Sequence, residues 1–217
     1  MSTSPNASRL FNASCLALIV TAMSFAIRGA AMGSWTEEFG LTNEQVGWIN
    51  GTAFWGFTLA MVFGGPLCDA IGMRRIVGLA FVGHLAGILL TIFAWDYWSL
   101  FGGTLLFGIA NGSVEAACNP LIAALYPDNK TTKLNQFHVW FPGGIVIGGL
   151  VGYLMGKLGL GWQAQFATML PPWPLTPSCL SGSPCRRPNA SRWAFRRAIC
   201  LPPACIRCSC CWWFACC

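Results

Sequence analysis

Asn111, Glu115 and Asn119 recur every four residues in the stretch NGSVEAACNPLIAALYP, residues 111–127. On a helix, that spacing sets an amide, a carboxyl and a second amide in one column. Glu115 is the lone charge between Asp96 and Asp128. A carboxylate turned to lipid near the bilayer midplane costs at least about 2.5–3.5 kcal/mol. The column must therefore face a bundle interior or a wet cavity. In such a place a carboxyl can ligate a polar solute or load and release a proton. The bland alternatives are a buried ion pair or a neutral, hydrogen-bonded acid. Pro120 follows directly and removes one backbone donor, which suits a site or a bend.

Other polar residues stand alone. Arg28, in SFAIRGAAMG, is the one base in the outer half of the first apolar span. It either pairs with Glu115, across a depth difference of roughly 12 Å at the helical rise, or snorkels to the outer surface. His138, in NQFHVWFPGG, can change charge near physiological pH, or is an interfacial residue beside Trp140. His84, in FVGHLAG, has no polar stripe around it and reads as structural. In GGPLCDAIGMRR, Gly65 and Gly72 flank Asp69, and Arg74 and Arg75 follow. A helix C-terminus repels a carboxylate, so Asp69 needs a positive partner, either these arginines or the N-terminus of another helix. No nucleophile–base pair, phosphate loop or metal-ligand set appears. Neither an enzyme nor a bound metal or cofactor is expected, only a proton or other ion gradient acting on the intact protein.

The elements that position these residues follow from composition. Of 217 residues, 55% are hydrophobic and 9% charged, against about 25% charged in a soluble globule, so lipid is the expected solvent. Five apolar stretches reach the roughly 20 residues needed to cross a bilayer, at about 12–33, 46–66, 76–95, 98–125 and 137–160. The first is too long, and too thinly flanked by Arg9, for a cleaved signal peptide. Arg74, Arg75, Lys130 and Lys133 fall in alternate loops, while Glu37, Glu38, Glu44 and Asp96 fall in the others. Lys157 is a weak exception. By the positive-inside rule the N-terminus lies in the cytoplasm, and a cell (inner) membrane is expected. Trp35, Trp48, Trp95 and Trp98 cluster at the outer boundary in the manner of an aromatic belt. Gly144, Gly148, Gly152 and Gly156 form a row that brings a neighbouring helix close, as plain packing or as a gliding surface.

Residues 170–217 differ in kind. They hold six Arg, no Lys, no acid, eight of the 13 prolines and nine of the 12 cysteines. This composition is expected of GC-rich codons read out of frame near Met169–Leu170, and it provides no frame for binding nucleic acid. The rival is a metal tail on Cys205, Cys208, Cys210 and Cys211, but the second pair is wrongly spaced for a zinc knuckle and the tail has no His.

GGPLCDAIGMRR resembles the signature loop of the major facilitator superfamily, which runs glycine-x-leucine-x-aspartate, then glycine and bases. Gly65, Leu67, Asp69, Gly72, Arg74 and Arg75 match, while Ala70 and Met73 stand where bases are usual. VEAACNPLIAALYP followed by KLNQFHVWFPGG is similar to the fourth and fifth helices of the fucose–proton symporter branch. The resemblance covers about residues 10–168. It implies two six-helix halves that rock about a midplane substrate site. Glu115 would then serve substrate binding and proton coupling, Asn119 would support it, and His138 would face the cavity near a sugar. Asp69 would meet a helix of the second half. That branch places an acid in the first helix, where this chain has Ala30, Ala31 and the basic Arg28.

The expectation is an all-α polytopic membrane protein whose residues 1–169 form the N-terminal half of a major facilitator fold. Asn111 and Arg28 join Glu115, Asn119 and His138 as candidate solute- or proton-binding residues, and the loop from Gly65 to Arg75 is the candidate gate. The partners expected are the lipid bilayer, a small polar solute and a missing C-terminal half. The chain alone should not transport. The alternative is a structural membrane module that assembles with itself or with a separate half.

Overall fold

The computed structural model describes residues 5–170, which form seven helices. They are α1 (Pro5–Phe39), α2 (Asn43–Ile71), α3 (Met73–Ile92), α4 (Tyr97–Leu125), α5 (Lys130–His138), α6 (Trp140–Lys157) and α7 (Trp162–Ala167). With α5 and α6 taken together, five helical stretches are long and apolar enough to cross a membrane. The described part is thus an all-helical membrane protein. The Cys/Arg/Pro-rich segment and its four candidate ligand cysteines lie outside the described residues.

The helices overrun the apolar windows. α1 continues through Glu37 and Glu38 because both acids project outward from its exposed last turns. Gly40, at φ +60°, ends the turn after it. Thr42 then caps α2, accepting from the Gln45 amide at 3.2 Å while the Gln45 side chain accepts from the Thr42 amide at 2.9 Å. Asp96 opens α4 in the same way, accepting from the Ser99 amide at 2.8 Å. That hydrogen bonding to Ser99 holds the Asp96 carboxyl below its ordinary range. The expected loop at 67–75 shrinks to Gly72, whose φ of +91° favours glycine. Its N–H donates to Cys68 O at 2.9 Å and its carbonyl accepts from Arg75 and Ile76. The α5–α6 break at Val139 is slight, since Val139 keeps helical angles. Pro142 has no N–H to offer the His138 carbonyl, which accounts for the interruption.

Pro120 does not break α4, which runs on to Leu125. The proline leaves the Ala116 carbonyl without its helical donor. The Cys68 thiol of α2 takes that place, 3.6 Å from Ala116 O.

Glycines set how closely the helices meet. α4 is flanked by α2 and α3. A Cβ on Gly108 would lie 2.8 Å from Thr52 O, and one on Gly56 would lie 2.7 Å from Ile109 N. On the other side, a Cβ on Gly87 would lie 2.9 Å from Phe107 N, and one on Gly103 2.8 Å from Thr91 Oγ1. The glycine row of α6 packs on α1: Gly144 abuts Ile19 and Ala22, Gly148 abuts Met23 and Ala26, and Gly152 faces Ala30. Only Gly156 of that row stands open. The row is therefore largely consumed by packing within the chain.

The aromatic belt needs one correction. Trp48, Trp95 and Trp98 are exposed, but Trp35 is 1% exposed. It packs edge-on against Trp162 and tilted against Phe166 of α7. The Trp162 indole N–H donates to Glu38 Oε2 at 2.6 Å. Trp35 thus belongs to the core that docks α7 against the end of α1.

Candidate functional site

The column on α4 grades from a closed to an open environment. Asn111 is fully buried, Glu115 is 8% exposed and Asn119 is half-buried. Asn111 crosslinks three helices. Its Nδ2 donates to Ser24 Oγ of α1 at 2.9 Å, and its Oδ1 meets His84 Nε2 of α3. His84 Nδ1 lies 3.1 Å from Ala80 O, and the Ser24 hydroxyl donates to Thr21 O. The His84 ring stands edge-on to Phe107 at 5.0 Å.

Glu115 differs from Asn111. Among the described residues it has no hydrogen-bond or ion-pair partner, although its column is nearly enclosed. The Asn119 carbonyl oxygen is also buried without a partner among the described residues. The column therefore holds one braced amide and, within the next two turns, two polar groups left open.

Arg28 neither pairs with Glu115 nor snorkels. It is 3% exposed, its Nε has no partner among the described residues, and its guanidinium lies 5.2 Å from the centroid of the Phe25 ring. It sits one turn beyond Ser24 on the same face of α1. The surface was out of reach because α1 extends well past Arg28, which leaves the residue inside the packed part of the helix.

His138 is exposed at the end of α5, with its ring 5.0 Å from that of Phe137. Among the described residues it makes no hydrogen bond or ion pair with Asn111, Glu115 or Asn119. Asp69 is exposed in the last turn of α2, and Gly65 is open to space. Among the described residues Asp69 forms no ion pair with Arg74 or Arg75, both exposed at the start of α3. Its expected partner is therefore not supplied by the neighbouring loop; exposure to a polar medium eases the repulsion at the helix end.

Taken one helix at a time, His84 is structural and its link through Asn111 to Ser24 and Thr21 does not show. His84 reads as isolated in α3 because its polar partner belongs to α4, 27 residues on. A weak signal existed in α1, where Thr21, Ser24 and Arg28 follow helical spacing.

Comparison with known proteins agrees with this architecture. Over 180 residues the chain is 26% identical to "Probable anion transporter 6, chloroplastic" of Arabidopsis thaliana, covering 75% of this chain and 34% of that protein. Over 128 residues it is 25% identical to the "D-xylose transporter" of Levilactobacillus brevis, covering 58% and 28%. The chain thus spans about a third of the length of these curated relatives. Its fold matches a crystal structure of tetrameric PepTSo2 with a TM-score of 0.69 at 15% identity, covering 89% of this chain and 46% of that one. The family model "Major Facilitator Superfamily" matches residues 14–172, and the chain belongs to that superfamily.

Proposed function

We propose that these helices form one wall of the solute path of a proton-coupled transporter for a sugar or a similar small polar solute. The observation that carries the reading is Glu115: a carboxyl nearly enclosed in a membrane helix without a partner among the described residues. Such a group is costly to keep unless it works on a proton or a ligand. Asn119, with its unpartnered carbonyl, sits one turn away to share the solute. Asn111 braces the column from behind. The opposite wall comes from a C-terminal half, and Asp69, exposed beside Gly72, Arg74 and Arg75, is free to meet it as a gate. The chain lies in the inner membrane with its N-terminus in the cytoplasm, following the alternation of loop bases. The similarity to a xylose transporter supports the solute class.

Glu115 is the test. A water-soluble carbodiimide and a lipid-soluble one can be compared on the reconstituted chain by mass spectrometry. Modification of Glu115 by the aqueous reagent is expected; modification by the lipid reagent alone would defeat the reading. In proteoliposomes under a proton gradient, the chain by itself should give no saturable uptake of radiolabelled pentoses or hexoses. Saturable, pH-dependent uptake would show that no second wall is needed.

Arg28 favours a second reading, in which the solute carries a carboxylate. A buried guanidinium with a bare Nε calls for an anion, and a carboxylate matches its fork of donors. The resemblance to an anion transporter agrees. Competition between a sugar and the corresponding sugar acid for binding to the intact transporter, with and without Arg28→Gln, separates the two readings. The glycine row gives no matching support to self-assembly, because Gly144, Gly148 and Gly152 are occupied by α1.

A further inference from the structure

We infer that His84 is a protonatable positioning residue for Asn111: the charge state of its ring sets which end of the Asn111 amide faces α1, and so whether Ser24 receives or gives a hydrogen bond. His84 Nδ1 lies 3.1 Å from Ala80 O, which can only accept, so Nδ1 carries hydrogen. Nε2 meets Asn111 Oδ1, which also can only accept. A ring that donates from both nitrogens, an imidazolium, is the form that fits this arrangement. The remainder of the chain runs onward in one direction, from Asn111 Nδ2 to Ser24 Oγ and from the Ser24 hydroxyl to Thr21 O.

Removal of the Nε2 proton leaves a lone pair facing a carbonyl oxygen, which is repulsive. A half-turn of the amide about its last torsion restores the pairing. Asn111 Nδ2 then donates to Nε2, and Oδ1 turns to α1. Ser24 Oγ has lost its donor and its hydroxyl leaves Thr21 O to donate to Oδ1. One proton departs, one amide turns and one hydroxyl swings. Both states keep His84, Asn111 and Ser24 hydrogen-bonded to one another, and a chain of this kind can hold either polarity.

Among the described residues, ionisable groups lie on the helices that carry this chain and on those beside α3. α4 brings Glu115, one turn from Asn111, and Cys118 beyond it. α1 brings Arg28, one turn from Ser24, and Cys15 further off. α2 carries Glu44 near one end and Cys68 and Asp69 near the other, while α7 has no ionisable side chain. Arg28 and Glu115 are the charged side chains that next follow Ser24 and Asn111 along their helices. A proton at His84 thus changes the polar face of α1 that holds Arg28. Its meaning for transport rests on the reading of the α4 column as a solute path; the chemistry of the ring does not.

The full chain carrying His138→Gln has His84 as its single histidine, because the sequence holds two. With ¹⁵N-histidine labelling in nanodiscs, the imidazole spectrum can be followed from about pH 4 to about pH 9. The expected result is an Nδ1–H ring with a bare Nε2 at high pH, converting in one step to a ring with both nitrogens protonated. Asn111→Leu should lower the proton affinity about tenfold or more, and Ser24→Ala should lower it less. An Nε2–H tautomer at high pH, no change of state across the range, or a midpoint unmoved by both variants would each overturn the inference. Circular dichroism checks that the variants stay helical. If Asn111→Leu does not fold, the tautomer and Ser24→Ala still decide. Uptake does not enter this readout, so a failure here is distinct from a failure of the transport reading.

Discussion

α4 and α6 are both apolar enough to cross a bilayer, yet they are built for different surroundings. α4 is packed on several sides: its glycines meet α2 and α3, and Asn111 reaches both α1 and α3. Between Gly103 and Cys118 most of its residues are buried. α6 buries only Gly144, Gly148 and Gly152, and exposes Val146, Leu150, Tyr153 and Leu154. A row of small residues on one face is enough for a peripheral helix. A central helix needs small residues on several faces, and it alone can hold an acid without exposing it to lipid. The polar column stands on α4 for that reason.

Volume offers the harshest way to break the contrast. Gly112→Leu in α4 would press into the backbone of α2 at Phe57 and into Ala60, costing about 3 kcal/mol. Gly149→Leu in α6, where nothing lies within 4 Å of a Cβ, should stay within about 0.5 kcal/mol. Loss of helicity on SDS titration measures both, and equal costs would erase the distinction. Next comes polarity. Asn111→Leu deprives His84 and Ser24 of their shared partner and should cost about 2 kcal/mol in the same titration.

Glu115→Gln should cost almost nothing in stability, or gain up to about 1 kcal/mol, because it removes a carboxyl that has no partner among the described residues. The same change should abolish proton-driven uptake by the intact transporter. A large loss of stability would mean that the carboxyl is structural. The smallest effect is expected at the N-terminus of α4. The Asp96 carboxyl titrates below its ordinary range, so its capping contribution is present above the unfolded value and is lost as pH falls through the folded one. Stability should therefore decline slightly with acid below about pH 4, and Asp96→Ala should flatten that decline.

Much of the fold was legible because a bilayer demands long apolar runs, and five of them were plain in the chain. Helix ends were less so. Hydropathy marks where lipid begins, whereas α1 ends where Gly40 stops it, past Glu37 and Glu38. The α4 column could be read because its members share one helix. The His84–Asn111–Ser24 chain could not, because each member comes from a different helix and only packing unites them. Trp35 misled for a related reason: a tryptophan near a boundary reads as interfacial until a later segment, here α7, is seen to cover it.

Gly72 has a consequence for how the chain enters its membrane. A reversal made by one residue leaves no slack, so the spans on either side must insert as a joined pair. Their backbone groups at the bend are already matched. Yet the glycine faces of α2 and α3 are both turned to α4, which is synthesised after them. The first pair must wait, legs parted in lipid, until the third arrives to fill the gap.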